Sequence, residues 1–359
     1  MTRRPRARGA PPGTPRRSPA ARKPRRRFRI FLSIAVLAAA GMAAGVALFL
    51  APGLAARSGA STTVVLNAGS GLPGIAGQLG AAGVIRSPLL FIVAAELTGA
   101  AHGLQAGEYA FPSRASMATI LSDIHRGLVV RHFVTIPEGY TSAQAVEVLA
   151  QANELVGVVP APPEGSLLPE TYQVVRGESR AQVLARMRAA RDALLSSLWA
   201  GRAAGLPYRS PEEAVIMASV VEKETALASE RPHVAAVFLN RLAKGMRLAS
   251  DPTVAYGLTE GGPLGHGLRV SELARRTPYN TYLVAGLPPT PIANPGRAAI
   301  EAALHPTPTD DLYFVADGTG GHAFSATLEA HLTNVAHWRK LELARAAPRA
   351  TTVSGAVTR

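Results

Sequence analysis

The stretch ASVVEKETALASER, Ala218–Arg231, holds the plainest candidate chemistry in the chain. Eight mostly apolar residues, Ala214–Val221, run straight into Glu222-Lys223-Glu224. A helix that reads as buried all round and then ends in two carboxylates has two explanations. Either the helix leaves the core and its charges sit in water, or one carboxyl is held in a dry cleft for proton transfer. At helical spacing Glu224 follows Val221, Val220 and Met217, whereas Glu222 follows Ser219, Ala218 and Val215. The more apolar stripe therefore lies behind Glu224. Desolvation there would lift a carboxyl from about 4.3 toward about 6–7, a range suited to donating and then accepting a proton. Glu222, on the less apolar side, is expected to hold at most a surface ion pair worth about 0–1 kcal/mol. Ser210 with Glu213 predicts a capping box at the start of this helix, with Pro211 in its first turn. Spacing alone leaves both explanations open.

Other polar residues lie between apolar ones further on. SDPTVAY places Asp251, Thr253 and Tyr256 around an Asp-Pro turn, and TPYNTY adds Tyr279, Asn280 and Tyr282. His322 follows the Gly-rich turn of a predicted hairpin, LYFVADGTGGHAFS. Amides, phenols and aromatic faces suit sugars, but each of these residues also has a structural role open to it as turn former, core aromatic or surface histidine. HExxH, GxSxG and P-loop patterns are absent, and the nine histidines are scattered without metal-ligand spacing, so neither a metal nor a cofactor is expected. Gly69-Ser-Gly71-Leu-Pro-Gly74 fits GxGxxG, with Glu96 at a suggestive distance. No further βα units follow it at dinucleotide-fold spacing, so it reads as a turn.

These residues sit in a 359-residue chain with a net charge of +14. The charge is local. Residues 1–29 carry 12 Arg or Lys and no acid, and the remainder has 26 basic and 24 acidic residues. The basicity belongs to a Pro-rich, disorder-like tail, which argues against nucleic acid as the partner. The next 22 residues, Ile30–Ala51, carry no charge. As a helix they would span roughly 33 Å, enough for a hydrocarbon core of about 30 Å and too long for a cleavable signal. The positive-inside rule then leaves the tail in the cytosol and puts residues from about 52 onward outside. The chain contains no cysteine, which excludes disulfides and thiolate chemistry. Gly41 and Gly45 form a GxxxG, a weak signal in a segment so rich in Ala and Gly.

Beyond a linker at 52–61, strand, turn and capped helix recur. TTVVLNAGSG reads as a strand and turn. A helix opens at Ser113 or Ser116 and closes at Gly127, and VVRHFVTIPEGYTSAQAVEVLAQ gives a strand, a Pro-Glu-Gly turn and a Thr- or Ser-capped helix. Small α+β modules are expected rather than a long parallel sheet. VGVVPAPPEGS, residues 156–166, reads as a second linker.

MASVVEKETALASERPHVAAVFLNRLAKGMRLASDPTVAYGL, TPYNTYLVAGLPPTPIANPG, AALHPTPTDDLYFVADGTGGHAFS and, upstream, EGSLLPETY resemble the MltG (YceG-like) family of endolytic murein transglycosylases. The resemblance is specific from about Pro207 to Trp338 and looser over residues 62–175. It implies an α+β fold: a transmembrane helix at 30–51, a LysM-like glycan-binding module at 62–135, a connecting region at 136–204, a catalytic domain at 205–340 and a tail at 341–359. It also implies a bacterial cell-membrane enzyme that cleaves the β-1,4 bond between N-acetylmuramic acid and N-acetylglucosamine in nascent glycan strands. Cleavage would leave a 1,6-anhydro end and stop strand growth, with peptidoglycan synthases as possible partners. The family's catalytic glutamate falls on Glu224, and Glu170 in LPETY also matches its pattern.

Overall fold

The computed structural model describes Gly13 and residues 25–346. The rest of the basic tail, and the end of the C-terminal tail expected over 341–359, lie outside the described residues. The chain mixes helices with short strands and forms two compact units, one ending at Leu128 and one beginning at Val129.

The first unit opens with α1 (Arg25–Leu50). Its Phe28–Leu50 portion is long and apolar enough to cross a membrane. After it come β1 (Ser61–Leu66), α2 (Leu72–Ala81), α3 (Pro88–Leu97), β2 (Gly107–Pro112) and α4 (Met117–His125). β1 and β2 pair antiparallel, with Val64 opposite Tyr109. Alternation turns Val64, Leu66, Tyr109 and Phe111 inward, and Leu79, Phe91 and Ile120 are the buried residues the helices supply. Gly71 caps α2, so the GxGxxG segment is the turn from strand to helix in an antiparallel pair. The apolar run LLFIVAAEL is the helix α3, capped by Ser87. Ser116 caps α4, as its position predicts.

The second unit begins with β3 (His132–Thr135), α5 (Ser142–Gln151), β4 (Thr171–Val174) and α6 (Arg180–Ala200). Val134, Leu149, Leu167, Val183 and Met187 form the core of this part. Thr141 caps α5 in a full capping box with Gln144. Then follow α7 (Pro211–Glu224), α8 (Arg231–Ala243), α9 (Asp251–Thr259), α10 (Val270–Leu273), α11 (Arg297–Leu304), the hairpin β5 (Tyr313–Ala316) and β6 (His322–Ser325), and α12 (Leu328–Ala346).

α7 is the centre of this unit. Every residue from Ala214 to Val221 except Ile216 is buried. Its small Ala and Val side chains let α8 and α11 close in with Val234, Phe238, Ala299 and Ile300. Each fully buried valine contributes about 1.5–3 kcal/mol. Ser219 is the polar exception, and its Oγ donates to the Ile216 carbonyl and accepts from the Ile292 N–H.

Two local expectations are corrected here. Ser210 caps α7, but the Glu213 carboxylate reaches the Arg209 N–H and guanidinium, so only half of a capping box forms. Asp251-Pro252 is not a free turn either. It starts α9, where proline's fixed φ suits the first helical turn.

Candidate active site

α7 ends because Thr225 turns extended, at φ −135° and ψ 133°. Its last turn carries Glu222 and Glu224, both at the end where the helix dipole disfavours negative charge.

Glu222 is buried, 9 % exposed. Its Oε1 accepts from Arg231 at 2.7 Å and its Oε2 from the Gly296 N–H at 2.9 Å. Arg231 also reaches Glu138 at 3.2 Å. The Pro137-Glu138-Gly139 turn presents that second carboxylate, with Gly139 at φ +75°, where other residues are strained. A Cβ on Gly296 would meet the Glu138 carboxylate, so a larger residue there would displace Glu138 from its place beside Arg231. Burial pushes the Glu222 carboxyl above the usual range; the Gly296 N–H and Arg231 pull against it. The expected surface ion pair is therefore a buried one, with both carboxylate oxygens taken. Arg231 and Gly296, rather than neighbours on α7, decide how Glu222 is buried.

Glu224 is only half-buried by area, yet dense walls surround its carboxyl. Oε2 accepts from Ser250 Oγ at 2.8 Å, and Oε1 accepts from no protein group among the described residues. Burial raises its pKa above the ordinary range. The Ser250 hydrogen bond pulls the other way, the Asp251 charge adds to the rise, and His322 and Arg241 oppose it.

A scaffold from two loops aims Ser250. Its N–H donates to Thr281 Oγ1 at 3.0 Å, and Thr253 Oγ1 lies within hydrogen-bond reach of the Ser250 carbonyl and of Thr281. Asn280 fixes the second loop, donating to the Leu273 and Arg275 carbonyls and accepting from the Tyr282 N–H. Tyr282 in turn donates its hydroxyl to Asp251 Oδ1 at 2.7 Å. Arg241 is held by the Leu312 carbonyl at 2.7 Å and lies over the Tyr313 ring.

His322 is held by Glu230, which precedes α8. Its Nδ1 lies 2.7 Å from Glu230 Oε2 and its N–H donates to Oε1 at 2.9 Å. Burial works to raise the Glu230 pKa, but the hydrogen bonds from His322 outweigh it and hold the carboxyl below the ordinary range. The carboxylate fixes the proton on Nδ1 and leaves Nε2 without a partner among the described residues.

Beside this cluster runs a groove of about 350 Å³, lined by Thr141, Gln144, Lys223, Asp251, Tyr256 and His266 among others. Tyr256 packs edge-on to Tyr279, with centroids 4.9 Å apart, and its hydroxyl donates to Glu164.

The model of the YceG-like family matches residues 64–337. The chain belongs to that family. An endolytic murein transglycosylase of Bacillus subtilis is 43% identical over 122 residues, covering 34% of this chain and 33% of that protein. One of Streptococcus pneumoniae is 30% identical over 338 residues, covering 78% of this chain and 59% of that protein. The chain thus spans about three-fifths of the pneumococcal relative and one third of the Bacillus one. The crystal structure of a putative yceG-like protein of Listeria monocytogenes is 31% identical, with a TM-score of 0.49, covering 77% of this chain and 99% of that one.

Of the residues singled out in this YceG-like sequence, Glu224, Asp251, Tyr282 and His322 come together. Tyr256 lines the groove, while Tyr279 stands behind it with its hydroxyl on Thr290. Thr253 and Asn280 are fully buried, so both shape the site rather than face it. Glu170 is exposed, and its carbonyl accepts from the Ile136 N–H. The sequence reading missed Ser250, Glu230, Arg231, Glu138 and Arg241. The contacts that tie them into the site reach from 9 to 93 residues along the chain, beyond any local pattern. The Pro-Glu-Gly turn was a visible signal for Glu138, although its partner was not.

Proposed function

We propose that this protein is a peptidoglycan lytic transglycosylase and that Glu224 is its catalytic acid and base. One observation carries the assignment: Glu224 combines a desolvated carboxyl with an oxygen that accepts from no group among the described residues. The activity in the names of the Bacillus and Streptococcus relatives supports the reaction class.

Neutral Glu224 donates its proton to the glycosidic oxygen between N-acetylmuramic acid and N-acetylglucosamine as positive charge develops on the sugar. Burial favours the neutral form of Glu224 beforehand, and the Asp251 carboxylate, held by Tyr282, adds to that and offers negative charge to the oxocarbenium-like centre. Ionised Glu224 then takes the proton of the C6 hydroxyl, whose oxygen closes the 1,6-anhydro ring. Ser250 steadies the carboxylate between the steps. Water is not consumed, so no second carboxylate at a hydrolase separation is needed.

Endolytic cutting of nascent strands would end their growth, and peptidoglycan synthases are the fitting partners. The β1–α2–α3–β2 order of the first unit, two helices between two antiparallel strands, supports a LysM-like glycan-holding role for residues 62–135. The dense basic residues at the N-terminal end of the span support a cytosolic N-terminus, with the chain after the span on the outer side of the cell membrane.

Mass spectrometry of glycan strands digested by the full-length protein tests this reading. Anhydro ends are expected. Reducing ends would make the protein a hydrolytic muramidase, and an absence of cleavage would make it a glycan-binding scaffold.

A further inference from the structure

α3 buries Phe91 and Ala95 against the first unit but leaves Leu89 71 %, Val93 44 % and Leu97 71 % exposed. At positions i, i+4 and i+8 these residues form one apolar stripe, with Glu96, the only charge on α3, at its margin. A soluble domain rarely shows water such a face.

The face adjoins the transmembrane candidate. Leu90, Val93 and Leu97 of α3 and Met42, Val46 and Phe49 of α1 line a shared apolar groove of about 420 Å³. Where Gly45 leaves out a side chain, a Cβ would stand 3.8 Å from Leu90. The residues just after the span are pinned to this unit and do not form a loose tether. The Gly53 N–H donates to the Arg114 carbonyl, the Arg114 N–H to the Leu54 carbonyl, and the Ser113 N–H to the Ala60 carbonyl. Along α1, Gly41 to Phe49 covers about 12 Å, close to one half of a hydrocarbon core about 30 Å thick. If α1 spans, α3 therefore lies at the depth of the leaflet from which the chain emerges. This follows whichever way α1 points.

The ends of α3 suit that place. Ser87 accepts from the Leu90 N–H, and Thr98 Oγ1 reaches the Ala95 carbonyl at 3.3 Å, which reduces the unpaired backbone groups that lipid penalises. Arg86, just before α3, reaches the Gly53 carbonyl beyond the end of the span, and Arg57 lies beside Gly83. Two cations at the level where the chain leaves the hydrocarbon match the depth of lipid phosphates. At ten residues α3 is too short to cross.

We propose that α3 is a second membrane-contacting element, its Leu89–Val93–Leu97 stripe embedded in the lipid leaflet beside the outgoing end of α1. The first unit would then be fixed in depth and tilt at the bilayer surface, where a membrane-tethered substrate begins. This rests on α1 being the membrane anchor.

The chain has no cysteine, so single cysteines report without background. Full-length Leu89→Cys and Leu97→Cys proteins, each carrying a polarity-sensitive fluorophore, are reconstituted into phosphatidylethanolamine–phosphatidylglycerol vesicles containing nitroxide-labelled acyl chains. Leu37→Cys, within the span, and Val158→Cys, at a fully exposed site of the second unit, set the lipid and water limits. Blue-shifted emission with lipid quenching at 89 and 97, close to the Leu37→Cys limit, is the expected result. Emission matching Val158→Cys while Leu37→Cys stays quenched would overturn the α3 proposal alone. Unquenched labels with Leu97→Cys cross-linking to itself would assign the stripe to a second copy and overturn it as well. An unquenched Leu37→Cys would remove the anchor, and the proposal with it.

Discussion

The two sides of the α7 end set two carboxyls in contrasting surroundings only two residues apart. On one side Glu222 shows the smaller exposed area, and its two oxygens accept from Arg231 and the Gly296 N–H. On the other Glu224 has one oxygen on Ser250 and one free. Burial raises both pKa values, so neither burial nor the direction of a pKa shift separates a catalytic acid from a structural one. What separates them is an oxygen that accepts from no group among the described residues. A carboxylate with a donor on each oxygen holds segments together, and one with an oxygen left to the substrate can carry a proton.

Exchanging each acid for its amide presses hardest on that contrast. Glu224→Gln keeps shape and the Ser250 contact but loses the proton, so turnover should fall toward the upper part of about 10²–10⁴-fold with the fold retained. Glu222→Gln should cleave at close to the wild-type rate once folded. Product release from glycan strands, with circular dichroism on the same samples, checks both.

Arg231→Leu tests the structural side. Removing the guanidinium leaves Glu222 without its cation, and breaking a buried pair in this way costs about 3–5 kcal/mol. Denaturant unfolding should show that loss. An unchanged midpoint would mean that the Glu222 network does not hold the end of α7.

A smaller effect is expected at Glu230, which holds His322 by two hydrogen bonds. Glu230→Gln removes a charge-assisted contact worth about 1.5–3 kcal/mol, so kcat should drop by about ten- to a hundredfold. KM should change little, because Glu230 orients the histidine rather than holding sugar. A change in KM alone would move Glu230 from positioning to binding.

Legibility in the sequence follows the same division. The helix α7, the Ser116 and Thr141 caps, the Pro-Glu-Gly turn and the β5–β6 hairpin are set by residues within a few positions of each other, and local patterns find them. The site depends on contacts across the chain. Thr253 and Asn280 look like groove residues in SDPTVAY and TPYNTY, yet they are buried because two loops use them to position Ser250 and Tyr282. The apolar stripe behind Glu224 goes with a carboxyl whose pKa burial raises, although Glu222 is the more buried by residue area. Which oxygen remains free depends on Arg231 and Gly296, and no spacing rule on α7 contains them.

The most direct measurement is the alkaline limb of kcat/KM for glycan cleavage in the wild type and the two amide variants. A general acid works while protonated, so the rate should hold at low pH and fall as pH rises through the Glu224 pKa. Burial and Asp251 place that fall above the ordinary glutamate value of about 4.3. Wild type and Glu222→Gln should share the limb, and the residual activity of Glu224→Gln should lack it. A limb that persists in Glu224→Gln and vanishes in Glu222→Gln would contradict the assignment and move the mobile proton to the Arg231 side of the helix.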